Sequence, residues 1–418
     1  MPPTSTAFQR TKILMTLTVL FDLDDTLLDN DIQPFIQRYF EMLAEALAAS
    51  FSPEHFQRAM QQAVYAMLNK QLPAGTLEET FDRVFYPALG VSKPELKERI
   101  DDFYRTKFPL LKELTRPREA AIQLVECAFE RGWQVVIATN PLFPRTAIEQ
   151  RLEWAGLPVD RYPFALVTTY ENSHFCKPNP AYFAEILAVL RWPHTPSVMV
   201  GNSIEDDILP PERLGLPTYY VCNDNQPSKI DNRHPLSKTG RLDEVLDWLD
   251  TIAQMESVSS YESKAAILAT LQSTPAALDT FSLTLPDHLW NQRPEPEEWC
   301  FTEILCHLRD VDREVNLERI QTILTKNRPF LPAAMTDGWV EQRNCILENG
   351  RNALEGFISA RSEIISRLLN LNEKDWHKPA RHAIFGPTTL KELVGFVATH
   401  DRIHINQAWQ TIQAVMAE

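Results

Sequence analysis

The chain has 418 residues, 44% hydrophobic and 23% charged, an ordinary globular composition that excludes wholesale disorder. Lys plus Arg number 41 against 56 Asp plus Glu, a net charge of −15, so there is no basic footprint for nucleic acid. Glycine is scarce, 12 in all, and no two lie closer than Gly350 and Gly356, which excludes both G-x-G-x-x-G and G-x-x-x-x-G-K-[ST]. Any phosphate handled here must be gripped by carboxylates, a metal and the ends of helices or strands.

The amino-terminal stretch 1–12 has no hydrophobic run after its basic residues and no small-residue cleavage site, so it does not read as a secretory signal. The apolar stretch 13–23 is too short and threonine-rich to span a bilayer, so no membrane partner is expected. Cys127, Cys176, Cys222, Cys300, Cys306 and Cys345 form no C-x-x-C, and the expectation is reduced thiols in a cytoplasmic protein.

Residues 15–23 read as a short buried strand ending in acids. Residues 32–115 carry helical periodicity with no strand, with apolar faces such as Ile32, Phe35, Ile36, Tyr39 and Phe40. After Pro117 strands and helices alternate. Helices are expected at 118–131, 145–155 and 180–190, and strands at 133–139, 164–170, 197–201 and 218–221. That alternation predicts βαβ units and an α/β Rossmann-like parallel sheet, with 32–115 inserted after the first strand. A helix at 241–254 precedes a polar serine cluster, QMESVSSYES, read as a linker. From 262 onward the chain reads as helix and loop, with long helices near 262–284, 302–325, 349–370 and 388–416, the count expected of an all-α four-helix bundle. The expected units are a core at 12–30 and 116–254, a helical insertion at 31–115, a linker at 255–261 and a bundle at 262–418. Oligomeric state is left open.

In a parallel α/β sheet, ligands bind beyond the carboxyl ends of the strands. Asp22 and Asp24 stand there, at i and i+2, and share one face of an extended chain. Such a pair divides labour, Asp22 as a metal-bound nucleophile and Asp24 as general acid and base. Thr139 and Asn140 end the next strand and offer a hydroxyl and N–H groups to an oxyanion. Lys177, in FCKPNP, neutralises phosphoryl charge as a point cation. Gly201-Asn202-Ser203-Ile204-Glu205-Asp206-Asp207 ends a further strand with hard carboxylates suited to Mg2+.

These pieces, DLDDT (22–26), VVIATN with Thr139, KPNP with Lys177 and GNSIEDD (201–207), resemble the haloacid dehalogenase superfamily of phosphatases over roughly residues 15–250. The resemblance implies that Asp22 attacks phosphorus to form an aspartyl-phosphate. Asp24 would protonate the leaving oxygen and then activate water, and Thr139 and Lys177 would hold phosphoryl oxygens. Mg2+ would be held by Asp22, the Asp24 carbonyl and an acid of the last motif, and 31–115 would be the helical cap. Asp24 favours phosphoryl transfer, because dehalogenating members lack this second acid. The last motif usually begins Gly-Asp, and Asn202 departs from it. Asp206 or Asp207 must then supply the carboxylate, the register favouring Asp207, and altered metal affinity is expected.

His400 and His404 lie at i and i+4 on the last helix and share a face. His307 lies on the second helix of the bundle among apolar residues, whereas His288, His377 and His382 fall in expected loops and read as solvated. Three converging imidazoles leave an open coordination position, as in catalytic zinc sites, and imidazole also suits nickel, iron and copper, so a divalent transition metal such as Zn2+, Ni2+ or Fe2+ is expected. The segments around them, EEWCFTEILCHLRDVDREV and GPTTLKELVGFVATHDRIHINQ, resemble the DinB-like four-helix bundles over about 262–418. That resemblance implies a divalent metal site and, in some relatives, transfer of a low-molecular-weight thiol to an electrophile. The function expected is a Mg2+-dependent phosphatase of a small phosphorylated metabolite fused to a bundle that binds metal through three histidines. The alternative is a metal-dependent thiol S-transferase, with the sheet domain as a regulatory or binding module.

Overall fold

The computed structural model describes residues 17–47, 51–222, 234–255, 259–336 and 338–417. The stretch 1–12, the start of the expected first strand and part of the serine-rich linker lie outside them.

Six parallel strands form the main sheet: β1 (Thr18–Phe21), β4 (Gln134–Ile137), β5 (Leu166–Val167), β6 (Ser197–Gly201), β7 (Thr218–Val221) and β8 (Lys238–Gly240), in the order β5-β4-β1-β6-β7-β8. The central strands are continuous apolar runs because helices cover both faces. Successive side chains point to opposite faces. Val19, Phe21, Val135, Ile137, Val198 and Val200 join one apolar cluster, and Leu20, Val136 and Met199 join another. The helices that cover the sheet include α5 (Glu119–Glu130), α6 (Arg145–Trp154), α7 (Pro180–Val189), α8 (Leu209–Leu214) and α9 (Val245–Ile252).

After β1 the chain makes β2 (Leu28–Asn30), which pairs antiparallel with β3 (Thr115–Pro117). Between these two lie α1 (Ile32–Leu47), α2 (Pro53–Leu68), α3 (Leu77–Leu89) and α4 (Lys93–Thr106). Helix α3 starts on a Thr76–Glu79 capping box and ends at Gly90 in the left-handed region, φ 73°. The strand β3 amends the expectation of an uninterrupted helical block to residue 115.

The C-terminal helices are α10 (Lys264–Ser282), α11 (Phe301–Val311), α12 (Leu317–Thr325), α14 (Gly350–Leu369) and α16 (Leu390–Ala417), with short α13 (Trp339–Gln342) and α15 (Glu373–Trp376). A π-helical turn, Asp312–Asn316, joins α11 to α12 where one long helix is expected. It brings Asp312 against Arg361, whose guanidinium donates to Asp312 at 2.7 Å, to Asp401 at 3.0 Å and to the Leu271 carbonyl at 3.3 Å. All three charged side chains are buried, so this triad ties α10, the π turn, α14 and α16 together.

Three expectations are corrected. The region beyond 262 is not only helix and loop, because β9 (Phe330–Leu331), β10 (Pro379–His382) and β11 (Gly386–Thr389) form a small sheet. His382 is buried there, its Nδ1 accepting the N–H groups of Ile384 and Phe385 at the hairpin turn. The expected strand 164–170 shortens to Leu166–Val167, because Thr168 instead turns its hydroxyl onto the carbonyls of Ile137 and Thr139. No helix among the described residues is long and apolar enough to cross a membrane.

Helix α10 packs on α7 across alanines: Ala181, Ala184 and Ala188 on one, Ala266, Ala269, Ala276 and Ala277 on the other, all in one apolar cluster. His174 sits at this seam, fully buried, with Nδ1 2.7 Å from Glu185 of α7 and Nε2 2.8 Å from Asp279 of α10. Burial opposes charge on this imidazole, but Glu185 and Asp279 outweigh it and raise its pKa. A folded pKa above the unfolded value near 6.5 gives stability that is complete below about pH 6.5 and fades as pH rises through the folded pKa. Denaturant midpoints measured from pH 6 to pH 9 should therefore fall on the alkaline side. His174→Gln should flatten that fall, and an unchanged alkaline fall would contradict the paired, protonated imidazole.

Candidate active site and metal centre

β1 lies between β4 and β6, so the chain leaves these adjacent strands at one edge of the sheet and gathers there Asp22, Asn140 and the loop 202–207. The Lys177 loop, following β5, reaches the same point. Lys177 Nζ donates to Asp22 Oδ1 at 2.7 Å and to Asp207 Oδ1 at 2.6 Å, with only 2% of its side chain exposed. Desolvation works against this ammonium, yet Asp207 and Asp22 together hold its pKa above the ordinary lysine range.

Asp207 belongs to a π-helical turn, Ile204–Ile208, that opens directly from the end of β6. π turns recur at functional sites because the extra residue re-aims a side chain. Its Oδ2 accepts the backbone N–H groups of Asn202 at 3.0 Å and Ser203 at 2.9 Å. Burial first, then the charge of Asp22, push Asp207 up to about 7 against the pull of Lys177. Thr26 donates to Asp22 Oδ2 and lies 3.1 Å from Asn202 Oδ1, so Asn202 meets Asp22 through a hydroxyl. Gly201 is required by this folding back: a Cβ there would lie 2.4 Å from Asp207 Cγ.

Asp24 accepts from Asn30 Nδ2 at 2.7 Å and is ion-paired with Arg151 of α6. Sequence reasoning missed Arg151. It is buried, with Phe35 and Phe143 rings against its guanidinium. The signal was its place on the apolar face of α6 beside Ala147, Ile148 and Leu152, where an unpaired charge would be costly. Thr139 is buried at the end of β4, its carbonyl accepting from Thr168 and Tyr182. The next residue, Asn140, lines the cavity and has a buried Oδ1 without a hydrogen-bond partner among the described residues.

Asp22, Asp24, Asn140, Arg151, Lys177 and Asp207 form one end of a cavity of about 480 Å3 that is also lined by the inserted helices, whereas Thr139 lies behind this lining. Asp206 lies at the same end. Asp22, Asp24, Asp206 and Asp207 outnumber the cations Lys177 and Arg151, and hard oxygen donors in excess of fixed positive charge fit Mg2+.

In the bundle, His307 of α11 meets His400 and His404 of α16. The Nε2 atoms of His307 and His404 lie 3.3 and 3.0 Å from that of His400, and the three fit within 4.8 Å of one another. His404 Nδ1 is bonded to Gln407 Oε1 at 2.7 Å, which fixes its ring. Burial, then the neighbouring His404 and His400, lower His307 to about 3, so its imidazole is neutral, the ligand form. Three nitrogen atoms aimed at one point fit a divalent transition metal. Trp299 packs over His404 with an interplanar angle of 7°.

A family model described as haloacid dehalogenase-like hydrolase matches residues 16–215, and one described as DinB superfamily matches residues 270–408. The chain joins a haloacid dehalogenase-like hydrolase domain to a DinB superfamily domain. An uncharacterized protein of Bacillus subtilis, YuaE, is 24% identical over 134 residues, covering 29% of this chain and 83% of that protein. A glyceraldehyde 3-phosphate phosphatase of Methanothermobacter thermautotrophicus is 25% identical over 247 residues, covering 58% of this chain and all of that protein. A solved 2-haloacid dehalogenase of Pseudomonas syringae pv. tomato aligns with TM-score 0.42 and 20% identity over 57% of this chain and 99% of that one.

Gly201→Ala tests the folding back of Asp207 onto the end of β6. It should cost about 1–3 kcal/mol of stability in denaturant unfolding, the usual penalty for overpacking. A change below about 0.5 kcal/mol would mean that Asp207 does not fold back onto the strand end.

Proposed function

We propose that the haloacid dehalogenase-like domain is a Mg2+-dependent phosphatase of small phosphate monoesters. The observation that carries this reading is the Lys177 ammonium bridging Asp22 and Asp207, with Asp24 beside them at the charged end of the cavity. Asp22, the Asp24 carbonyl and Asp207, with Asp206 close by, would hold Mg2+. When bound, the ion supplies positive charge to the phosphoryl oxygens.

The residues of the chain then divide the work. The Asp22 carboxylate attacks phosphorus, and the bond to the leaving oxygen breaks. Asp24 gives its proton to that oxygen. Asp24 next takes a proton from water as the water oxygen attacks phosphorus, which breaks the Asp22–phosphorus bond and releases inorganic phosphate. Arg151 and Asn30 position Asp24 for both transfers. Lys177, Asn140 and Thr139 hold the phosphoryl oxygens. Helices α1 to α4 act as a cap that excludes water. The phosphatase named among the relatives agrees with this chemistry. Asp22→Asn should lower turnover of phosphate esters by about 10^4-fold or more without changing the thermal transition greatly. Unchanged turnover would refute the nucleophile.

A second reading puts the main activity in the DinB domain, as a metal-dependent transfer of a low-molecular-weight thiol. It is favoured by the three converging Nε2 atoms of His307, His400 and His404. Elemental analysis of dialysed protein should give close to one equivalent of Zn2+, Ni2+ or Fe2+, lost in His404→Ala. Equal metal content in both proteins would contradict the site.

A further inference from the structure

We infer that the leaving group of the substrate is a bulky apolar alcohol or phenol, so that aryl and long-chain alkyl phosphates are preferred over sugar and polyol phosphates. The chemistry of the step rests on the phosphatase reading above, whereas the leaving-group class rests on the cavity.

The cavity has two ends of opposite character. Its charged groups, among them Asp22, Asp24, Arg151 and Lys177, all come from the sheet domain. The opposite wall comes from the inserted helices, and among the described residues that line it none is charged. Ile36, Phe40, Met60, Val64, Phe81 and Phe85 form much of that wall. Two tyrosines there are turned toward each other: the Tyr39 and Tyr104 hydroxyls lie 2.8 Å apart and both side chains are buried. That mutual bond uses one of their two hydroxyl protons, and Tyr86 adds the one further hydroxyl among the described residues of this wall, few partners for the several hydroxyls of a sugar.

Polar groups buried without partners are costly, so a polyol entering this space would lose its water without replacement. An apolar group gains from the same transfer. A volume of about 480 Å3 is that of a ligand site, and a phosphoryl group alone would fill only its charged end. The remainder is shaped for a ring or a chain attached through the ester oxygen, next to Asp24.

The test uses the full-length wild-type protein with Mg2+ and two matched series. The first is hydrolysis of n-alkyl phosphates from ethyl to octyl, with 1-naphthyl phosphate, glycerol 1-phosphate and glucose 6-phosphate. kcat/KM should rise about 3- to 4-fold per methylene until the cavity fills, and glycerol 1-phosphate should trail 1-naphthyl phosphate by about 100-fold or more. The second is calorimetric binding of the non-hydrolysable n-alkylphosphonates, whose affinities should climb with the same slope. Preference for the glycerol or glucose ester would overturn the leaving-group class and leave the phosphatase reading standing. Flat slopes in either series would also overturn it. A rising phosphonate series without turnover of any ester would support the apolar pocket and overturn the phosphatase reading instead.

Discussion

A buried ammonium between two buried carboxylates is the constraint around which the N-terminal half is organised. Lys177, Asp22 and Asp207 each lie inside the protein, and removal of Lys177 would leave two buried carboxylates without the ammonium they share. Lys177 meets partners 155 and 30 residues away, so the contact exists only if β1 lies beside β6 and the loop after β5 reaches across. The strand order supplies both conditions. Gly201 and the π-helical turn supply the last few ångströms by folding Asp207 back onto the end of β6. The acids exceed the cations at this point, which makes the same geometry a receptor for a divalent cation.

The bundle is not a passive appendage. Alanines on α7 and α10 let the two helices approach closely, and the apolar layer on one face of the sheet runs on into the bundle. Glu185 binds the backbone N–H groups of His174 and Phe175, just ahead of Lys177, while Asp279 of the bundle holds the far side of the His174 ring. Gln272 also donates to the Gln71 carbonyl of the inserted segment. The loop that carries Lys177 is thus braced from both domains. Within the bundle, the Arg361 triad performs the comparable task of fixing α16 so that His400 and His404 face His307.

The motifs were legible because their signals are local. A β-branched run ending in Asp22-Leu23-Asp24 and acids after Gly201 each mark a strand end, a lysine before proline follows a third strand through a loop, and chain order aligns them. The i, i+4 histidines were legible for the same reason, as helical spacing alone puts them on one face. What escaped detection depends on long-range contact. Arg151 is a single charge on an otherwise ordinary helix, and its partner Asp24 lies 127 residues away. Arg361 is hidden in the same manner. The strands β9 to β11 have two to four residues each, too short to show a period of two. His382 was misjudged because it falls in a turn-rich stretch whose hairpin buries it. Apolar faces on the inserted helices were plain, but only the fold distinguishes the side chains that fill a core from those that wall a cavity.

The central claim is that Asp22 forms a covalent bond to phosphorus. Acid quenching of the full-length protein during turnover of a 32P-labelled aryl phosphate, followed by peptide mapping, tests it most directly. The account predicts a label that hydroxylamine removes, on the peptide containing Asp22 and absent from Asp22→Asn. Turnover with the label on another peptide would contradict it.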